Sequence, residues 1–302
     1  MLIGPLPGLP VPDVLRDPAP DPGLFGPGSV TWRLAREPLL LLGGGRALMM
    51  QVAHPLVAQG VVDHSAYETQ PFGRLLETVR WLVVVIFGTT AEAEAAITHL
   101  AAIHRRVRGV LVPENATAAF LAGTPYDAND PTLDRWVLAT ILDSVLVAAD
   151  VLIDGLPQAA RDRFVREWRP VGRRLGIPEA RLWDGEAVLR AYVASELASG
   201  RITPTPAARR AAAAVLHPEL PWPGLQPIAW FLGAFSAGLL PSRLRRGLGV
   251  RWTPLQARGL RLLCALSRAG HPFLPRRMRV APLYDIARGR VTRRRLPVRR
   301  RG

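Results

Sequence analysis

The stretch GGGRALMMQVAHPLVAQGVVDHSAYETQPFGRLLETVRWLVVVIFGTTAEAEAAITHLAAIHRRVRG, residues 43–109, decides the fold class. Its apolar side chains recur at intervals of three and four, never at two. Leu75, Leu76, Val79, Leu82, Val83 and Ile86 follow helical spacing over 72–87, and Gly88 closes that helix. Ile97, Leu100, His104, Val107 and Leu111 do the same over 91–111, opened by Thr90 with Glu94 near a capping-box position. Ahead of both, Arg46, Met50, Ala53 and Val57 share one face. Pro55 removes one backbone hydrogen bond from that run and predicts a kink at His54-Pro55.

The same signals extend in both directions. Ser29 is a predicted N-cap before VTWRLARE, and Asp130 caps a long helix with Pro131 in its first turn. Leu133, Trp136, Val137, Thr140, Ile141, Ser144, Val145, Ala148 and Leu152 give that helix a core stripe. Further helices fit 157–176, 184–199, 205–216, 228–240 and 253–269. No stretch alternates with period two between turn signals, and no internal repeat is present. The reading is all-α: a single multi-helix domain over 25–287, preceded by a Pro-rich arm at 1–24 and followed by an Arg-rich tail at 288–302.

Composition sets the bounds. The chain has 302 residues, 49% of them hydrophobic and 21% charged, which excludes a disordered chain and supplies a sizeable core. Its one cysteine, Cys264, excludes an intrachain disulfide framework and a Cys-cluster zinc site. All 39 basic residues are Arg, so no Lys is present to form a Schiff base, a P-loop or an iron ligand. Eight of those Arg fall within 288–302, a run with no acid in it. Such a run attracts phosphate from lipid headgroups or nucleic acid, or serves as a solvated arm. The N-terminus has no early basic residue and Pro interrupts its apolar run, so no secretory signal is expected. The expected location is cytoplasmic, with membrane-surface contact open. The uncharged stretch at 220–242 is crowded by Pro221, Pro223 and Pro227; its clean part, 228–240, is too short to span a bilayer. It reads as a buried helix or as a hydrophobic hairpin on a membrane surface.

Polar residues on apolar faces are the candidates for chemistry. His104 faces its helix's apolar side, and is either a hydrogen-bonded core histidine or a ligand to metal or haem iron. Arg74 and Thr78, four apart with Glu77 beside them, share a face that suits a carboxylate or propionate, or simply a helix surface. His54 and His64 bracket the Pro55 helix, with Met49 and Met50 one turn before His54; together these would line a pocket, although His64 also reads as a helix cap. The chain lacks Glu-x-x-His pairs, His-Glu-x-x-His, GxGxxG, a P-loop and GxSxG, which removes most support for di-iron, hydrolase and nucleotide readings.

Taken in order, Ala53-His54-Pro55, Gly60-Val61, His64-Ser65, Arg74-Leu75 with Thr78, Phe87-Gly88, Ile103-His104 with Gly109, and Tyr126 through Asp130-Pro131 to Trp136 resemble the catalytic domain of the rubber oxygenase (latex clearing protein) and MpaB-type oxygenase family. The resemblance is good over 24–152 and looser to about residue 288. It implies an all-helical protein with a globin-like, haem b-binding core. It further implies an oxygenase using dioxygen on a small apolar substrate, with isoprenoid or lipid as the candidate class. His104 matches the proximal haem ligand, and Arg74 and Thr78 the polar pair near the haem. Arg74 would then pair with a propionate or donate to oxygen, and Thr78 would hydrogen-bond on the distal side. Glu77 departs from the pattern, standing where rubber-cleaving members carry Lys. The latex enzymes' catalytic glutamate has no convincing match among Asp63, Glu68 and Glu77. Two other readings compete: a haem-binding protein without turnover, and a membrane-surface protein working through its Arg tail, with nucleic acid a weaker partner.

Overall fold

A computed structural model describes residues 17–64, 71–217 and 226–292 together with positions 15 and 224; over 71–76 it describes the helix and not the side chains. The fold is all-α apart from two short strands. Its first half comprises α1 (Val30–Ala35), α2 (Gly44–Val52), α3 (Pro55–His64), α4 (Pro71–Phe87), α5 (Thr90–His104) and the long α6 (Pro131–Leu152). Then follow α7 (Gln158–Glu167), α8 (Arg169–Arg174), α9 (Glu186–Ala198), α10 (Pro206–Leu216), α11 (Gln226–Gly238), α12 (Ser242–Gly247), α13 (Pro254–Gly270), α14 (Arg276–Arg279) and α15 (Pro282–Thr292).

The caps explain the boundaries. The Ser29 side chain accepts from Trp32 N–H, as expected of an N-cap, and Asp130 accepts from Thr132 N–H at 2.7 Å with Pro131 behind it. The capping box at α5 lies one residue earlier than read from sequence. Thr89 is the cap and Glu92 its partner, not Thr90 and Glu94. The expected kink at His54-Pro55 is a full break: α2 ends at Val52 and α3 begins at Pro55. Pro170 likewise splits the expected 157–176 helix into α7 and α8.

A larger departure follows α5. The helix expected to reach Leu111 stops at His104. Residues 108–110 form β1 (Arg108–Val110), which pairs antiparallel with β2 (Pro125–Asp127), Gly109 opposite Tyr126. The helical phase of Val107 and Leu111 is therefore coincidental, and Leu111 is buried from the strand side against Leu56 and Tyr126.

α6 runs through the middle. Trp136, Leu142, Leu146 and Ala148 are buried on it, and Trp136 Nε1 donates to Met50 O at 3.2 Å, tying α6 to the end of α2. One continuous core links Val30 to Leu248. α2 wedges between α6 and α11. A Cβ at Gly43 would lie 2.9 Å from Ser144 O, and one at Gly45 would overlap the Ser236 side chain, so the glycine triplet is a close-approach surface. One turn on, the buried Arg46 donates to Leu239 O at 3.0 Å, Ser144 Oγ at 2.7 Å and Asp143 Oδ2 at 2.6 Å. This cation staples three elements, each of its three nitrogens donating one bond.

The chain ends also take part. Arg290 of α15 is buried, donates to Asp17 O at 2.6 Å and pairs with Glu92 at 2.5 Å. Asp21 accepts from Thr90 N–H at 2.7 Å. Residues 17–23 thus lie along the α4–α5 turn, and regular structure continues to Thr292. The Arg tail from 293 onward and the arm before residue 15 lie outside the described residues.

Removing one partner of the Arg46 staple should leave a buried unpaired charge. Arg46→Met is expected to cost about 3–5 kcal/mol in urea unfolding, and Arg46→Met with Asp143→Leu clearly less than that.

Candidate functional site

The candidate residues divide between two places. The first is the open end of the α4–α5 hairpin. Trp81 Nε1 donates to Ala96 O at 3.1 Å, which sets the hairpin register. Counting outward from that pair places residues 99–104 level with 73–78. His104 occupies the last turn of α5 and is half-buried, and Thr78 and Glu77 are exposed on α4. The Arg74 helix position falls in the same stretch; its side chain lies outside the described residues. Apolar neighbours here are incompletely covered: Val79, Leu82 and Leu100 are half-buried and Ile103 is exposed.

The second place is the junction of α3 with the β hairpin. His64 ends α3, and its Nε2 lies 3.1 Å from both Arg108 O and the Tyr126 hydroxyl. Tyr126 donates to Asp63 Oδ2 at 2.6 Å, so its oxygen accepts from a His64 Nε2–H. The other Asp63 oxygen accepts from Gln59 Nε2 at 2.8 Å. The Gln59 carbonyl accepts from Asn115 Nδ2 at 2.7 Å, and Asn115 Oδ1 accepts from Ala207 N–H at 3.0 Å. A continuous hydrogen-bonded chain thus runs from an exposed imidazole to the N-terminus of α10. Burial and the Asp63 carboxylate both push the Tyr126 hydroxyl pKa up, keeping it a donor. Gly60 and Gly109 hold the ring between them; a Cβ at Gly109 would lie 2.7 Å from the Tyr126 hydroxyl. His64 clamps β1.

The two places are joined through the backbone. Val107 N–H donates to His104 O at 2.8 Å, and Val107 O accepts from Ala128 N–H at 2.9 Å. Asn129 Nδ2 reaches Ala101 O at 3.2 Å. The Tyr126 latch thus fixes the chain three to five residues beyond His104, and Asn129 fixes the turn before it.

His54 belongs elsewhere. It is buried at the α2–α3 break, accepts from Leu56 N–H on Nδ1 at 3.2 Å, and faces the Phe120 ring at 5.0 Å. Burial, with the Arg201 charge nearby, pushes its pKa down to about 4, so it is neutral at physiological pH. Met49 and Met50, expected beside it as pocket lining, are core residues. Of the acids considered from sequence, Asp63 is committed to the latch, Glu77 is exposed and Glu68 lies outside the described residues.

Sequence reasoning missed Gln59, Asn115 and Asp134. The first two sit on no apolar stripe and carry no motif. Asp134 looks like a favourable acid in a helix first turn, yet it is buried, and burial followed by the charges of Asp130 and Asp127 raises its pKa to about 7. It holds a proton that most carboxyls have lost.

No group of three or more His, Cys, Asp or Glu that could hold a metal ion occurs among the described residues. Haem asks for less: one imidazole on an apolar, partly open surface, with a cation or hydroxyl at its edge. The half-buried His104 in the last turn of α5, beside the exposed Ile103 and one turn beyond the half-buried Leu100, has that character, and an imidazole so placed fits the group.

Residues 32–269 match the family described as ER-bound oxygenase mpaB/B'/Rubber oxygenase, catalytic domain. This chain belongs to that family, which makes its helical body an oxygenase catalytic domain. Comparison with curated proteins and with solved structures finds no significant match.

Two predictions follow from this geometry. Gly109→Ala should destabilise the fold by about 1–3 kcal/mol through overlap with Tyr126, and Tyr126→Phe by about 1–2 kcal/mol through the two hydrogen bonds lost, both read as shifts in urea midpoint. Asp134 has a folded pKa raised above the unfolded value, so its contribution is present at acid pH and lost as pH rises from about 4 to about 7. The melting temperature of Asp134→Asn should therefore gain on the unsubstituted protein across that window and hold its lead above it.

Proposed function

We propose that this protein is a haem b-dependent oxygenase that acts with dioxygen on a small apolar substrate of isoprenoid or lipid class, with His104 as the axial ligand. The observation that carries the reading is the position of His104. It is a half-buried imidazole ending α5, at the end of the α4–α5 hairpin nearest Arg74, inside the span that defines the oxygenase family. Bound haem would supply the electron transfer that dioxygen chemistry requires; the protein supplies ligation, dryness and orientation.

The chain's own residues take the following roles. His104 supplies the imidazole, its backbone carbonyl held by the Val107 N–H. Arg74 pairs with a carboxylate at the edge of the site, the task a guanidinium performs best. Thr78 offers a hydroxyl one turn further along α4. Val79, Leu82, Leu100 and Ile103 supply the apolar wall that excludes water and accepts an apolar substrate. Glu77 brings a carboxylate where rubber-cleaving members carry Lys, so the long polymer is not the proposed substrate. His54 and His64 are assigned supporting roles, in the α2–α3 break and the β1 clamp.

Protein purified from haem-supplied cells should show a Soret band near 400 nm (an order-of-magnitude position for ligated haem), absent in His104→Ala. Oxygen uptake with isoprenoid or fatty substrates should accompany it and fall about tenfold or more in Arg74→Ala and Thr78→Ala. An unsubstituted protein without iron or a Soret band overturns the proposal. A Soret band without oxygen uptake on any apolar substrate overturns the oxygenase part and leaves a haem-binding protein.

A further inference from the structure

We propose that the outward face of α13 docks this protein onto a bilayer surface carrying anionic headgroups. α13 is packed along one side only. Ala257, Leu260, Cys264 and Ser267 turn inward, with Ser267 Oγ donating to Leu152 O at 2.8 Å. No residue of α13 is fully buried. The opposite side is a leucine stripe: Leu255 is 78% exposed, Leu262 62% and Leu266 61%, with Leu263 beside them. The spacing of seven and four keeps these on one face over about 16 Å of helix. Phe273, just past the helix end, is 87% exposed. α11 meets α13 at its last residue, where a Cβ at Gly238 would overlap Leu260; at its other end it exposes Ile228, Trp230 and Phe231. The sequence expectation of a buried helix over 228–240 thus holds for its second half, where Gly233, Phe235, Ser236 and Ala237 are buried. The first half is open. An apolar surface of this kind on a water-soluble body marks a contact.

Charge identifies the occupant. Arg258, Arg261 and Arg268 are exposed along the flank of the stripe, on the same helix. Residues 226–302 carry eighteen Arg against one acid, Asp285, for a net charge of +17; residues 1–225 carry 21 Arg against 23 acids, net −2. The whole positive charge of the molecule is thus at the end of the chain that bears the leucine stripe. A second copy seated there would bring two such regions together, and nucleic acid has no use for four leucines. An apolar stripe edged by arginine matches an interfacial helix lying in the headgroup layer of an anionic membrane. No helix among the described residues is long and apolar enough to cross one, so the contact is to the surface. It sets the catalytic domain where apolar substrates dissolve.

The test is co-sedimentation of the full chain with phosphatidylcholine vesicles and with vesicles containing about one-quarter phosphatidylglycerol. Binding is expected to the anionic vesicles and to weaken with salt. Leu262→Glu with Leu266→Glu should reduce the partition about tenfold with an unchanged melting temperature, since both side chains are exposed. Arg258→Gln with Arg261→Gln should lower it and flatten its salt dependence. Three results overturn the proposal. The first is no binding to anionic vesicles. The second is unreduced binding by the leucine variant alongside loss on changing Arg293, Arg294, Arg295, Arg299, Arg300 and Arg301 to Gln, which moves the contact to the tail. The third is a dimer by light scattering that the leucine variant dissociates, which gives the face to a second copy.

Discussion

The Tyr126 hydroxyl is the point on which the candidate site depends. It donates to Asp63 at 2.6 Å and accepts from His64, and its ring occupies the space a side chain at Gly109 would need. Three separated segments, the end of α3, β1 and β2, are fixed against one another by these bonds. β1 begins four residues after His104, so the conformation of the imidazole-bearing turn is set by a phenol on the facing strand. Without that latch the chain beyond α5 relies on a six-residue sheet, which is marginal by itself, and on the few bonds and apolar contacts beside it.

The latch is polar, and its stability comes from completeness. Gln59, Asp63, Asn115 and Tyr126 each find a partner, and the chain of bonds ends on a backbone N–H of α10. A fully satisfied network rigidifies, whereas a half-satisfied one costs more than an apolar core. The Arg46 staple follows the same rule at the centre of the molecule, with Asp143, Ser144 and the Leu239 carbonyl around one guanidinium. Together they leave the α4–α5 hairpin, whose far end is only partly covered, as the open part of a rigid frame. That is the arrangement a prosthetic group and a greasy substrate need.

The fold was legible in the sequence where local physics decides it. The stripe on α6, the Ser29 and Asp130 caps and the Pro55 break needed only helical period, side-chain oxygens and a missing N–H. The end of α5 was not legible, because Val107 and Leu111 keep helical phase while the pairing that makes them strand and loop comes from Tyr126 and Pro125, far along the chain. Gly109 and Tyr126 were visible as ordered features of a family, but their reason, a ring lying where a side chain at Gly109 would be, is tertiary. Gln59 and Asn115 carried no signal, since a polar residue is recognisable as buried only once its neighbours are known. Asp134 was masked by a local rule that fits its position and not its burial. The exposed leucines of α13 read as an ordinary amphipathic helix, because periodicity names a face without saying what covers it.

The central claim, that the end of α5 presents an imidazole to haem iron, is tested most directly by chemical rescue. His104→Gly, purified without haem, is titrated with haem in the presence and absence of free imidazole, and the ligated spectrum is followed. The account predicts weak binding alone and recovery of the unsubstituted protein's spectrum when imidazole fills the vacated position. A His104→Gly protein that binds haem with an unaltered spectrum and no need of imidazole would contradict it.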